Sequence, residues 1–112
     1  MERVADTRIP VGGNNVIEPL TTTQQNLIKV FDSMKNVVIE KNKRYGDAAL
    51  TPKQIFSKLD AVEGIKIRID DKLSRVMNNS ETVRKNDVAD LIGYLVLFSV
   101  SQGWFDFSDL ID

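Results

Sequence analysis

The sequence predicts an all-α protein: a compact bundle of about four helices, two long and two short, behind an extended N-terminal arm. Three observations carry this. Apolar residues recur at helical spacing through most of the chain from Thr23 onward. Residues that start and stop helices fall between those runs. The one alternating stretch, Ile65, Ile67, Ile69, continues at helical rather than strand spacing through Leu73 and Val76.

Length and composition fit that class. The chain has 112 residues, 42% apolar and 28% charged, with 15 Lys and Arg against 16 Asp and Glu. One core suffices at this size, since roughly two thirds of the unfolded surface is buried on folding, and association would add to it. Cys and His are absent. Their absence excludes disulfides, Cys or His zinc sites, thiol nucleophiles and His-based acid–base pairs. Chemistry is left to carboxylates, Lys, Arg, Tyr and a hard metal such as Mg²⁺.

The charges are segregated. Residues 41–85 carry 11 bases and 6 acids, whereas residues 86–112 carry no base and 5 acids. A basic middle can pair with an acidic end or face a small anion. The near-neutral total and the scarcity of aromatics beside the bases argue against nucleic-acid binding. The N-terminus lacks a signal-peptide pattern, and the longest apolar stretch, Val88 to Val100, is interrupted by Asp90, Gly93 and Ser99. A cytoplasmic chain with no membrane partner is expected.

Residues 1–21, with two prolines, a Gly-Gly and an Asn-Asn, show no sustained period and read as the arm; residues 22–112 read as a single helical domain with an aromatic tail. The first long helix is expected from about Thr23 to Arg44. Leu27, Phe31, Met34 and Val38 form its apolar face and Val30 and Val37 widen it; Thr22 or Thr23 would cap it and Gly46 would stop it. A short helix is expected to open at Thr51-Pro52-Lys53-Gln54 and end before Gly64, with Ile55, Phe56 and Leu59 on one side. A third runs over Gly64 to Asn78. The last, capped by Ser80, is expected over about Glu81 to Ser101; being apolar nearly all round, it should be central. Gly93 offers a place for close helix approach. In the tail, Trp104, Phe105 and Phe107 either close the core or meet another subunit.

Three groups of residues could carry chemistry. Lys41, Asn42, Arg44, Tyr45 and Asp47 gather around the end of the first helix, beside Glu40. Bases there oppose the helix dipole and Gly46 is an ordinary stop, but the cluster also suits a phosphate and the edge of a base. Arg68, Lys72 and Arg75 form a stripe at i, i+4, i+7, which is either a solvated face or one wall of an anion site. Asp87, Asp90 and Tyr94 share one side of the apolar last helix. A core-facing carboxylate there must pair with a base, hold a metal or take up a proton. Arg68, Lys72 or Arg75 would be the structural partner; alternatively Asp87 and Asp90, with Glu40, would hold Mg²⁺ for a di- or triphosphate.

Three blocks in order, EKNKRYGDA, GIKIRIDDKLSRV and NDVADLIGYLVL, resemble a small all-helical family of phages and bacteria known as nucleotide-modification-associated domain 1. Its pattern is met by Lys41, Asn42, Tyr45, Gly46 and Asp47, by Arg68, Ile69, Asp71, Lys72 and Arg75, and by Asp90, Leu91 and Tyr94. The likeness covers roughly residues 38 to 98 and implies a link to nucleotides, in the host cytoplasm if the chain is phage-encoded. A weaker likeness is to helical nucleotide pyrophosphohydrolases of the MazG and dimeric dUTPase type, which hold Mg²⁺ with two carboxylate-rich helices. This chain has fewer carboxylates than that pattern, which favours a binder over an enzyme. The expectation is therefore an oligomeric protein that sequesters a nucleotide or cyclic-nucleotide-like small molecule. Its site would draw on Lys41, Asn42, Arg44, Tyr45, Asp47, Arg68, Lys72, Arg75, Asp87, Asp90 and Tyr94. The alternatives are a Mg-dependent pyrophosphohydrolase and a scaffold that binds only protein.

Overall fold

The structure, a computed structural model, describes residues 8–11, 16–55, 57–78 and 82–111. Among them are strands β1 (Arg8–Val11) and β2 (Val16–Pro19), helices α1 (Thr22–Tyr45), α2 (Ala61–Asn78) and α3 (Lys85–Ser101), and a 3-10 turn at Ser108–Leu110. The described residues are thus mostly helical, as expected of an all-α chain, but with three α-helices instead of four. No helix among them is long and apolar enough to cross a membrane. The chain divides into two compact units, Met1–Asn36 and Val37–Asp112, and the division falls within α1.

In the first unit, β1 and β2 pair antiparallel, with Arg8 opposite Pro19 and Val11 opposite Val16. The Gly-Gly and Asn-Asn pairs of the expected arm lie outside the described residues. Leu20, just after β2, is buried, and its carbonyl accepts from Gln25 Nε2 at 3.1 Å. A reciprocal capping box then starts α1: Gln24 N–H donates to Thr21 Oγ1 (3.1 Å) and Thr21 N–H to Gln24 Oε1 (2.9 Å). The cap is Thr21, one residue ahead of the expected pair, because Gln24 stands three residues after it.

In the second unit, α1 ends in a Schellman closure. Asp47 N–H donates to the Asn42 carbonyl (3.2 Å) and Gly46 N–H to that of Lys43 (3.4 Å). Gly46 (φ 58°) and Asp47 (φ 61°) are both left-handed, the conformation that glycine adopts freely and Asp tolerates.

The short helix expected from Thr51 does not form. Thr51 is drawn back into the turn: its N–H (2.9 Å) and hydroxyl (2.8 Å) both donate to the Asp47 carbonyl, leaving that hydroxyl unavailable as a cap. Gln54, at the supposed third helical position, has φ 55°, and its amide donates to the Leu59 carbonyl at 2.9 Å. Phe56 lies outside the described residues. The chain enters α2 at Asp60, whose Oδ1 accepts from Glu63 N–H at 2.8 Å.

Along α2, Ile65 is buried and Ile69, Lys72 and Val76 partly so, the i, i+4, i+7, i+11 set that one helix face supplies. α2 packs on α3. The expected cap Ser80 and start Glu81 lie outside the described residues. Residues 82–84 are not helical, and α3 begins after an extended Arg84 with no side-chain cap. Gly93 is less tightly packed than its sequence suggests: a Cβ there would lie 3.8 Å from Val38 Cγ2, an ordinary contact. Nor is α3 central, since Val88, Leu95, Val96 and Val100 remain exposed. A second Schellman closure ends it, with Trp104 N–H donating to the Ser99 carbonyl (2.9 Å) and Gly103 at φ 76°. Trp104 then meets Phe98 edge-on, with ring centroids 6.0 Å apart. That apolar contact commonly accompanies this closure.

Candidate functional site

Within the second unit, the last turns of α1, the middle of α2 and the first turns of α3 bring four charged side chains together. Lys41 Nζ lies 2.9 Å from Asp90 Oδ1, and Lys72 Nζ lies 2.9 Å from Asp90 Oδ2. Lys72 Nζ is also 3.8 Å from Asp87 Oδ1. Helical spacing explains the layout: Asp87 and Asp90 are one turn apart on α3, so a single ammonium from α2 can reach both.

Of the two aspartates, Asp87 is the buried one; its side chain is 8% exposed, against 25% for Asp90. It stands in the first turn of α3, where the positive end of the helix dipole favours an anion. Lys72 is 16% exposed and Lys41 52%. The two cations therefore differ in kind, one enclosed and one open to solvent. Burial pushes the Asp90 carboxyl up, but the hydrogen bonds and charges of Lys41 and Lys72 outweigh it and hold the group below its ordinary value. The hydrogen bond to Asp90 lifts Lys41 above its ordinary value against partial burial, with smaller electrostatic additions from Asp90, Tyr45 and Tyr94.

The other candidate residues are engaged differently. Asn42 and Asp47 build the turn: Asn42 Nδ2 donates to Asp47 Oδ1 at 2.9 Å while their backbones close the helix. Arg44 bridges to Glu40 along α1 at 3.2 Å. Tyr45 is exposed and Tyr94 partly so. Arg68 and Arg75 are exposed on α2 and join no ion pair among the described residues. Of the proposed metal ligands, Glu40 is taken up by Arg44, and Asp87 and Asp90 by Lys72. Among the described residues no three acidic side chains gather in a way that would hold a cation.

The structure thus brings together Lys41, Lys72, Asp87 and Asp90, with Tyr45 and Tyr94 within electrostatic reach of Lys41. The pairing of Lys41 with Asp90, 49 positions away, had no local signal in the sequence. Chemically, the cluster offers an accessible ammonium with donors to spare, held by a carboxylate that a second lysine fixes from behind. No protein-family model, curated protein or solved structure matches the chain.

Proposed function

We propose that this chain is a small phage-type cytoplasmic protein that binds and sequesters a nucleotide or nucleotide-derived signal, as its likeness to nucleotide-modification-associated domain 1 implies. The observation that supports this best is the convergence of Lys41 and Lys72, from two helices, on Asp90 of a third. In this reading Lys41 turns its free donors to a phosphate, as a point charge. Tyr45 or Tyr94 stacks on the base, and Arg68 and Arg75 add a second, exposed source of positive charge. A pyrophosphohydrolase has less support, because Glu40, Asp87 and Asp90 are each already engaged by a base. The exposed Trp104, Phe105 and Phe107 support the second alternative, a protein-only scaffold.

The test is thermal denaturation against a panel of mono-, di-, tri- and cyclic nucleotides at millimolar concentration, with and without Mg²⁺. A binder raises the midpoint in proportion to ln(1 + [L]/Kd). The rise should disappear in Lys41→Ala, an exposed position whose loss leaves the Lys72 pairs in place. Ligand recovered unchanged after incubation with Mg²⁺ distinguishes sequestration from hydrolysis. A panel without any shift rejects the proposal.

A further inference from the structure

The segment after α3 is short but built. Trp104 is fixed at its start by the N–H bond to the Ser99 carbonyl and by the ring of Phe98. At its far end Leu110 N–H donates to the Phe107 carbonyl (3.0 Å) and Ile111 N–H to that of Ser108 (3.2 Å), closing the 3-10 turn. Between these anchors lies an open hollow of about 470 Å³, lined by Trp104, Phe105, Phe107 and Leu110 together with Asp106 and Asp109. All six are exposed.

The two carboxylates decide what can cover this hollow. Asp87 and Asp90 are taken up by lysines, whereas Asp106 and Asp109 join no ion pair among the described residues, and no base follows Lys85 in the sequence. Asp106 is also held in place: its Oδ1 accepts from Ser108 N–H at 2.8 Å, and that bond keeps the carboxyl below its ordinary value and charged at neutral pH. An apolar or acidic surface laid over the hollow would strip water from both carboxylates without pairing them. Two carboxylates among aromatic rings are also a poor cage for a metal, which takes six or more oxygens. The complement is a flat cation that stacks on an aromatic ring while it donates to a carboxylate. A guanidinium does both; an ammonium is a compact, strongly hydrated point charge.

We propose that the hollow receives an arginine side chain from a basic peptide segment, with the guanidinium resting on the aromatic lining and paired with Asp106 and Asp109. Because the hollow is open, its occupant arrives as a side chain on an extended segment; a pocket for a free small molecule would enclose roughly 70–90% of its guest.

Trp104 is the only tryptophan of the chain, so its fluorescence reports this hollow. The full chain is titrated with three blocked pentapeptides, Gly-X-Gly-X-Gly, in which X is arginine, lysine or the uncharged citrulline. The arginine peptide should give a saturable change with a Kd below about 1 mM, at least threefold tighter than the lysine peptide, and the citrulline peptide none up to about 10 mM. Asp106→Asn combined with Asp109→Asn should weaken arginine binding tenfold or more with circular dichroism unchanged, since an asparagine oxygen can still accept from Ser108 N–H. Should the double variant lose its fold, Asp109→Asn alone, at a side chain with no hydrogen bond among the described residues, should weaken binding at least threefold. The absence of a saturable change, equal affinity for arginine and lysine, or undiminished binding in a folded variant would overturn the proposal. None of the Lys41 cluster lines the hollow, so these outcomes are separate from those of the nucleotide panel.

Discussion

Lys72 is the residue on which the charged cluster depends, because its ammonium reaches both Asp87 and Asp90 from an enclosed position. Removing one partner of an enclosed pair leaves uncompensated charge behind, whereas removing an exposed partner costs little. Lys72→Met, which keeps the packed stem, should therefore lower unfolding stability by about 2 kcal/mol. Lys41→Met should cost no more than about 0.5 kcal/mol. Urea denaturation of the two variants side by side checks the ordering, and equal losses would contradict it. The same geometry sets an acid limb. The Asp90 carboxyl is held below its ordinary 3.8, so its contribution is present above that value and fades as pH falls through the depressed folded one. Below about pH 4 the melting temperature should fall more steeply in the unmodified chain than in Asp90→Asn. A raised Lys41 acts in the opposite direction: its contribution is present below 10.5 and is lost as pH rises through the folded value, and it is small because the side chain is half exposed. A carboxylate on the apolar last helix was legible in the sequence as a group in need of a partner, with Lys72 among the candidates. Which of the two aspartates would be buried was not legible, because burial depends on the angle at which α2 crosses α3.

Helix ends show how the sequence encodes the elements and where that code becomes ambiguous. Thr21 with Gln24, Asp60 with Glu63, and the two glycines at Gly46 and Gly103 are local signals, and each is realised by a hydrogen bond within five residues. The Thr51-Pro52-Lys53-Gln54 signal is just as good locally and yet yields no helix, because the turn that closes α1 takes the Thr51 hydroxyl first. Competition between adjacent signals cannot be seen by reading either alone. Both helix-closing glycines are left-handed, with φ 58° and 76°, so an alanine at either position should cost about 1 kcal/mol in conformational strain even though its Cβ meets open space. Gly93 is the contrasting case: it lies within α3, and a Cβ there would make only an ordinary contact with Val38. Gly93→Ala should stabilise the chain by up to about 1 kcal/mol through helix propensity. Thermal or urea unfolding of the three alanine variants should give opposite signs for the internal and the terminal positions.

At the scale of the whole molecule, the segregation of charge that the sequence announces is only partly consumed within one chain. The basic middle and the acidic end meet at the Lys41, Lys72, Asp87 and Asp90 cluster, while Asp106 and Asp109 in the tail and Lys29 and Lys35 on α1 join no ion pair among the described residues. Apolar periodicity correctly located α1 and α3 but said nothing about what would cover them. The period of a helix reveals which side is apolar, whereas its neighbour is set by long-range packing.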